Sequence, residues 1–224
     1  MATSKELRIT VDEKREVSVL LLMPAKPKHL LVLAHGAGAG MHHPFLEKLA
    51  HELSAVSIAT LRYQFPYMQG KRGAPDPPAV LTATVAAAVR AAKEAAPKLP
   101  LLAGGKSMGG RMTSQAAAQG QLEGVQGLVF FGFPLHPPGN PGIKRAEHLA
   151  KVPMPMLFLQ GTRDTFADLK LLRPVCAQLG SRATLHIIET ADHPFHVLKS
   201  SKRTDEEVLR ELAETTASWA DKLS

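Results

Sequence analysis

The stretch Leu101–Arg111, with the sequence LLAGGKSMGGR, gives the clearest indication of how this chain is built. A short apolar run ends in two glycines, a serine follows at position 107, and two more glycines lead into a segment rich in Ala and Gln. Residues Gly105–Gly109 fit G-x-S-x-G, a pattern typical of a sharp strand-to-helix turn that holds the serine in a strained, exposed pose. Glycines suit this turn because side chains would clash where strand and helix come so close. The helix N-terminus behind Ser107 would direct N–H groups at an anion formed there.

The overall composition is that of an ordinary globular protein. The 224 residues are 45% hydrophobic, and we expect a single domain over residues 1–224. Cys176 is the one cysteine, which excludes an internal disulfide and fits a reducing compartment. Residues 1–15 lack the apolar segment of a signal peptide, and no apolar run approaches the length of a membrane span. We therefore expect a cytoplasmic protein that does not bind a membrane.

The formal charge of +7 raises the question of a nucleic-acid partner. The basic residues are scattered, however, with small clusters only at Lys26–Lys28, Lys71–Arg72 and Lys199–Arg203. Aromatic residues make up 5% of the chain and do not alternate with the basic ones, so base stacking has no support. We predict a basic, solvated surface with no specific nucleic-acid binding; the charge would favour anionic substrates. The sequence gives no indication of the oligomeric state.

The hydrophobic pattern predicts a leading hairpin followed by a strict alternation of strands and helices. Such an order specifies an α/β domain with a mostly parallel central sheet, an N-terminal antiparallel hairpin at its edge and helices on both faces. The predicted strands are residues 6–11, 17–23, 30–34, 56–61, 99–103, 125–131, 156–160 and 184–188. The predicted helices are residues 44–53, 81–96, 108–119, 145–150, 167–179 and 204–223, and residues 64–78 are expected to be loop.

Residues able to perform chemistry follow several of these strands. In an open parallel sheet, ligands bind outside the carboxyl ends of the strands. The glycine-rich loop His35–Gly40, Ser107 and Asp164 each follow a predicted strand, and His193 lies just past the last one. Together they predict a site with a nucleophile, an acid and a base in that chain order.

Each residue type suits a role in acyl transfer. A serine hydroxyl attacks at neutral pH only when a base takes its proton, and His193 would be that base and would later protonate the leaving group. Asp164 would hold the imidazole in the required tautomer and stabilise its charged form. The backbone N–H groups of Met108 and Ala37 would form the oxyanion hole.

Alternative interpretations remain open for the acid and the base. Asp164 could instead be the N-cap of the following helix, which would make Asp168 the acid. His196 could replace His193 as the base, although an Asp-His pair before proline favours His193. Asp192 is expected to be a turn residue, and His35 a structural anchor of its loop.

Other residues are candidates for substrate binding: Lys106, Arg111, Gly38 and His42. If Lys106 or Arg111 faced the pocket, a carboxylate-bearing or otherwise anionic ester would be favoured. The alternatives are a surface lysine, an arginine packed on the 64–78 loop and a solvated helix start at His42. No pair of the ten histidines has ligand spacing together with a third donor, so we expect no metal, and the chemistry above needs no cofactor.

The quoted segments together resemble an α/β-hydrolase. The matching pieces are HGAGAG at 35–40, GKSMGG at 105–110, GTRD at 161–164 and the pair Asp192-His193, which cover nearly the whole length in the expected order. The sequence is most similar to the small, uncapped, dienelactone-hydrolase-like branch. It departs from true dienelactone hydrolases in having serine as the nucleophile in place of cysteine, and it lacks a long insertion after residues 125–131 that would form a lid.

This resemblance implies the fold and the reaction type of a carboxylesterase-like serine hydrolase but no particular substrate. The short loops predict an open, shallow site, so we expect a small ester or related acyl compound. Its substrate would be a small molecule, cleaved through an acyl-serine intermediate with Ser107, Asp164 and His193. The alternative is a catalytically inactive interaction or scaffold protein that kept the fold and uses its basic surface for binding.

Overall fold

The computed structural model describes residues 2–223, which form a single eight-stranded sheet with helices packed on it. The strands are β1 (Thr3–Asp12), β2 (Arg15–Met23), β3 (His29–Ala34), β4 (Ile58–Tyr63), β5 (Leu101–Lys106), β6 (Val125–Phe131), β7 (Met156–Gly161) and β8 (Ala183–Ile188). The α-helices are α1 (Pro44–Ala55), α2 (Pro66–Gln69), α3 (Pro78–Ala95), α4 (Met108–Ala118), α5 (Leu169–Leu179) and α6 (Asp205–Ala220). Short 3₁₀ segments lie at Lys144–Lys151, Gly180–Arg182 and Lys199–Ser201.

The sheet has the strand order β1-β2-β4-β3-β5-β6-β7-β8. The β1–β2 and β2–β4 pairs are antiparallel, and the other five pairs are parallel. The predicted α/β class, with a mostly parallel sheet and an antiparallel N-terminal hairpin at its edge, is confirmed. Between β6 and β7 the described chain forms only the 3₁₀ segment Lys144–Lys151, without a lid domain.

Two hydrophobic layers cover the sheet, because successive side chains of a strand point to opposite faces. On β3, Leu30 and Val32 belong to the layer that also contains α3, α4 and α5, whereas Leu31 and Leu33 belong to the layer that contains α1 and α6. All four side chains are buried. Each such burial contributes about 2 kcal/mol to stability, so the continuous apolar runs of the central strands account for a sheet covered on both faces.

Several helix boundaries differ from the predicted ones for local reasons. Helix α1 continues to Ala55, and Ser57 turns the chain with φ of 66° before β4 begins at Ile58. Helix α3 begins at Pro78, a residue suited to the first helical position. The expected loop 64–78 contains α2. Helix α6 begins after a capping box of Thr204 and Glu207.

None of the helices in residues 2–223 is long and apolar enough to cross a membrane.

The end of β5 and the start of α4 press against β3. A Cβ on Gly105 would lie 2.5 Å from the Ala34 carbonyl oxygen, and one on Gly109 would lie 2.6 Å from that of His35. Both distances are far below van der Waals contact. Glycine at these positions therefore lets α4 start directly beside the loop that follows β3.

His35 fixes that loop from inside. Its Nδ1 lies 2.7 Å from the Gly36 carbonyl oxygen, and its Nε2 lies 3.1 Å from the Phe65 backbone nitrogen. In the neutral tautomer Nδ1–H donates to the carbonyl and Nε2 accepts from the amide, so both ring nitrogens are paired. Burial lowers the pKa of His35 from 6.5 to about 4. His35 is the structural anchor that the sequence analysis expected.

The first prediction concerns the contact between α4 and β3. Gly109→Ala should destabilise the fold by about 2 kcal/mol, since the new methyl group meets backbone atoms that cannot move aside. Gly73→Ala is the matched control, because a Cβ at Gly73 meets nothing within 4 Å. Urea unfolding of the two variants measures the difference. Equal urea midpoints for the two variants would contradict the close approach of α4 to β3.

The second prediction concerns His35. Because its folded pKa is lower than its unfolded one, the unfolded chain binds more protons below pH 6.5, and stability is lost as the pH falls toward 4. This residue alone should remove about 2 kcal/mol between about pH 7 and about pH 5. In His35→Gln an amide oxygen can accept from Phe65 N–H without titrating, so its free energy of unfolding should fall less over this range. Identical pH dependences in urea unfolding would refute the linkage.

Candidate active site

Ser107 occupies the turn between β5 and α4. Its backbone has φ of 51° and ψ of −118°, and α4 begins at the next residue. A non-glycine residue in such a conformation is strained, and the strain is sustained by the packing of β5 and α4 around it. The turn projects the half-buried serine from the carboxyl end of the sheet.

Asp164 follows β7 and is buried. Its Oδ1 accepts a hydrogen bond from Phe166 N–H at 2.8 Å, and its Oδ2 accepts one from the side-chain amide of Gln160. Asp168 has the role of helix cap, since its carboxylate accepts from Lys170 N–H at the start of α5. Of the two acidic candidates, Asp164 is the one that faces the site.

His193 joins the other two side chains. Its Nδ1 lies 2.7 Å from Asp164 Oδ2, and its Nε2 lies 2.9 Å from Ser107 Oγ. The Phe166 ring packs on the imidazole with centroids 4.3 Å apart. Because Nδ1–H donates to the carboxylate in this arrangement, Nε2 is free to accept the serine proton. The rival His196 lies elsewhere, with its Nδ1 paired to Asp205, and Asp192 accepts from His196 N–H within the turn.

A cavity of about 360 Å³ opens in front of Ser107. Its walls are mostly apolar, and it borders a smaller cavity of about 240 Å³ with which it shares His43, Phe45 and Pro194. The larger cavity is lined by Gly36, Ala37, Ala39, His43, Phe45, Leu46, Lys106, Ser107, Phe166, His193 and Pro194.

The glycine-rich loop after β3 lies against the serine. A Cβ on Gly36 would come within 3.7 Å of the Ser107 Cβ, and Ala37 lines the cavity. Met108 is the first residue of α4, so its N–H has no partner within the helix. Among residues 2–223, the N–H groups of Ala37 and Met108 have no protein acceptor. Both therefore remain available to an anion formed beside Ser107.

The four candidate substrate-binding residues differ in position. Lys106 lines the cavity, but its Nζ is buried, which contradicts the alternative of a surface lysine. Gly38 donates its N–H to the Tyr67 hydroxyl and lies outside the cavity lining, as does the exposed His42, whose ring lies 3.4 Å from Glu47.

Arg111 does not line the cavity. Burial and the neighbouring Arg145 of the 3₁₀ segment Lys144–Lys151 lower its pKa. Arg111 in turn adds to the effect of burial on His148, whose pKa is lowered to about 4. The charged neighbour of Arg111 is thus Arg145, and Arg111 is absent from the residues that line the cavity at Ser107.

Sequence reasoning missed several residues of the site. Phe45 falls within the predicted helix 44–53 without being assigned to the site, and the sequence does not single out Phe166 or Gln160. Gln160 carried a usable signal, because a polar residue inside the otherwise apolar strand β7 needs a buried partner.

Residues 2–223 contain no group of three His, Cys, Asp or Glu side chains placed to hold a metal ion.

Comparisons with known proteins agree with this architecture. A dienelactone hydrolase from Anabaena variabilis superimposes with a TM-score of 0.76 at 20% identity, covering 97% of this chain and 96% of its own. A serine hydrolase without lid from Xanthomonas campestris gives 0.75 at 21% identity, with coverages of 96% and 94%. The esterase domain of a Rhodothermus marinus protein gives 0.74 at 14% identity, with coverages of 99% and 100%. At these identities the likeness shows the fold.

The family follows from a separate match. Residues 27–221 fit the family model described as an alpha/beta hydrolase domain, and the resemblance found in the sequence is thereby confirmed. Since this match spans nearly the whole chain, the protein belongs to the α/β-hydrolase family.

Proposed function

We propose that this protein is a serine hydrolase that cleaves small carboxylic esters or related acyl compounds through an acyl-serine intermediate. The observation that carries the proposal is the hydrogen-bonded chain from Ser107 Oγ through the His193 ring to Asp164, at 2.9 and 2.7 Å, at the floor of a cavity. This is the geometry that a nucleophile, its base and the group that orients the base require.

In the first step, Ser107 Oγ attacks the acyl carbon while its proton passes to His193 Nε2. The carbonyl oxygen becomes an oxyanion, and the N–H groups of Ala37 and Met108 stabilise it, helped by the N-terminus of α4. Asp164 stabilises the imidazolium. The carbon–oxygen bond to the leaving group then breaks, and the leaving alkoxide takes the proton from His193.

In the second step, water replaces the alcohol. His193 takes a proton from the water as it attacks the acyl-serine, and the carboxylic acid departs when Ser107 Oγ recovers its proton. The apolar walls formed by Phe45, Leu46 and Phe166 suit the hydrocarbon part of an acyl group, and the volume of about 360 Å³ favours a small one.

The third prediction tests the nucleophile. A fluorophosphonate probe should label the native protein on Ser107, and Ser107→Ala should abolish both the adduct and the hydrolysis of short-chain p-nitrophenyl esters. Ser181→Ala is the matched control, because Ser181 is exposed and lies just before β8, at the opposite end of the sheet. Labelling is followed by mass mapping of the adduct. Absence of an adduct on folded native protein would refute the proposal.

The fourth prediction separates the two carboxylates. Asp164→Asn should lower kcat by about 10³- to 10⁴-fold, because the amide no longer holds His193 in the tautomer that accepts the serine proton. Asp168→Asn should leave kcat within about twofold, since asparagine is an equally good helix cap. The measurement is kcat for the steady-state hydrolysis of one ester by each variant. Equal losses in the two variants would contradict the assignment of Asp164.

A further inference from the structure

Lys106 is the last residue of β5, and its side chain runs beneath the loop that carries His193. Its Cγ would lie 3.8 Å from a Cβ on Gly36, so its stem forms part of the cavity floor. Its Nζ is buried and has no hydrogen-bond partner among residues 2–223. A lysine usually extends its ammonium into water, and a buried, unpartnered one is costly. The inward orientation therefore calls for a specific reason.

Two aromatic rings face the ammonium. Nζ lies 5.5 Å from the centroid of the Phe195 ring and 5.9 Å from that of Phe45, and the two rings stack with centroids 5.8 Å apart. A cation is attracted to the face of an aromatic ring at such distances. Phe195 is buried and has φ of 71°, a conformation that residues with side chains rarely adopt. The Phe195 ring thus lies beside the ammonium at the cost of a strained backbone.

The ammonium also lies beside the Asp164–His193 pair. A Cβ on Gly132 would be 3.1 Å from Lys106 Nζ, 3.4 Å from Asp164 Oδ2 and 3.4 Å from His193 Nδ1. The three polar atoms therefore surround one small space that Gly132 leaves empty. The carboxylates of Asp164 and Asp192 both attract the ammonium. These two charges come from the loops after β7 and β8, so the lysine connects three separate strand ends.

The loop over Lys106 has mainly internal hydrogen bonds. Phe195 N–H donates to the Asp192 carbonyl at 3.0 Å, Asp192 N–H donates to the His196 carbonyl at 3.0 Å, and His196 N–H donates to the Asp192 carboxylate at 2.8 Å. These bonds define the shape of the turn. Its two ends are held by Arg163 N–H, which donates to the Ala191 carbonyl at 2.9 Å, and by Val197 N–H, which donates to Asp205 Oδ1 at 3.1 Å. Lys106 contacts the Phe195 ring between these two ends.

We propose that the charged ammonium of Lys106 is a clamp that holds the loop of residues 192–195 against the sheet and so keeps His193 in reach of Ser107. Lys106 is a positioning residue, since its Nζ is shielded from the cavity and acts on the reaction through His193. The inference rests on the proposed hydrolase function for its effect on rate, whereas its effect on the loop does not depend on that function.

The clamp should depend on pH. Burial lowers the pKa of Lys106 to about 8, while Asp164 and Asp192 oppose that effect. The titratable groups facing Lys106 are Asp164 after β7 and Asp192 and His193 after β8, and His43 at the start of α1 lines the same cavity. Above about pH 8 the ammonium loses its proton, and the attraction to the two carboxylates and the two rings is lost. Reactivity of Ser107 should then decline.

The fifth prediction uses Lys106→Met, which keeps the apolar stem and removes the charge. Replacing a buried unpaired ammonium with methionine should preserve the fold, and Lys106→Gln is a second uncharged variant. The rate of labelling by a fluorophosphonate probe should fall at least about tenfold at neutral pH in both, because a small misplacement of the base is costly. The wild type should lose reactivity with a midpoint near pH 8, and both variants should lack that decline. Lys93→Met, at an exposed position on α3, should behave as the wild type.

A second readout does not require activity. Amide hydrogen exchange of Phe195 and His196 should be faster in Lys106→Met than in Lys93→Met at the same neutral pH, because the loop is less firmly held. The clamp is refuted if Lys106→Met keeps the alkaline decline of the wild type, or if these amides exchange as slowly as in the control. If wild-type protein is not labelled at any pH, the proposed function fails, and hydrogen exchange alone decides on the clamp.

Discussion

The site depends on the close approach of β5 and α4 to the end of β3. Gly105 and Gly109 allow backbone atoms to meet where any side chain would collide with the carbonyl groups of Ala34 and His35. This contact forces the sharp turn at Ser107, sets the start of α4 behind it and brings the glycine-rich loop of Gly36 and Ala37 alongside. The strain at Ser107 is maintained because the whole sheet, covered on both faces, supports the two elements that meet there.

Much of this could be predicted from the sequence, because it depends on local patterns. Continuous apolar runs such as residues 125–131 specify strands buried on both faces, and the bounds predicted for β6 are those observed. Once the strands are parallel, their carboxyl ends share one edge, so Ser107, Asp164 and His193 are expected to lie near one another even though they are far apart in the chain. The residue types already gave the chain order nucleophile, acid and base, and the resemblance to α/β-hydrolases agrees with that order.

What the sequence could not predict was the direction of individual side chains. Lys106 directly precedes the serine and Arg111 lies one helical turn after it, yet the Lys106 ammonium is buried beneath the His193 loop, whereas Arg111 lies near Arg145. Asp164 and Asp168 were both candidates for the acid, and the choice depends on which of them caps α5. His42 and His43 differ in the same way: only His43 lines the cavity. Such outcomes depend on packing between elements distant in sequence, which no local pattern encodes.

The buried polar groups of the site fall into two kinds. The carboxylate of Asp164 accepts from three donors, and both ring nitrogens of His35 are paired, so each is stabilised by hydrogen bonds that hold one fixed geometry. Lys106 differs, because its ammonium is surrounded by ring faces and by carboxylates that it does not contact directly. A directional bond is satisfied by one partner, whereas the positive charge of the ammonium attracts both carboxylates and both ring faces at once. That property suits a residue that has to hold together the ends of three strands, and it explains why the cost of burying the charge is tolerated beside the serine.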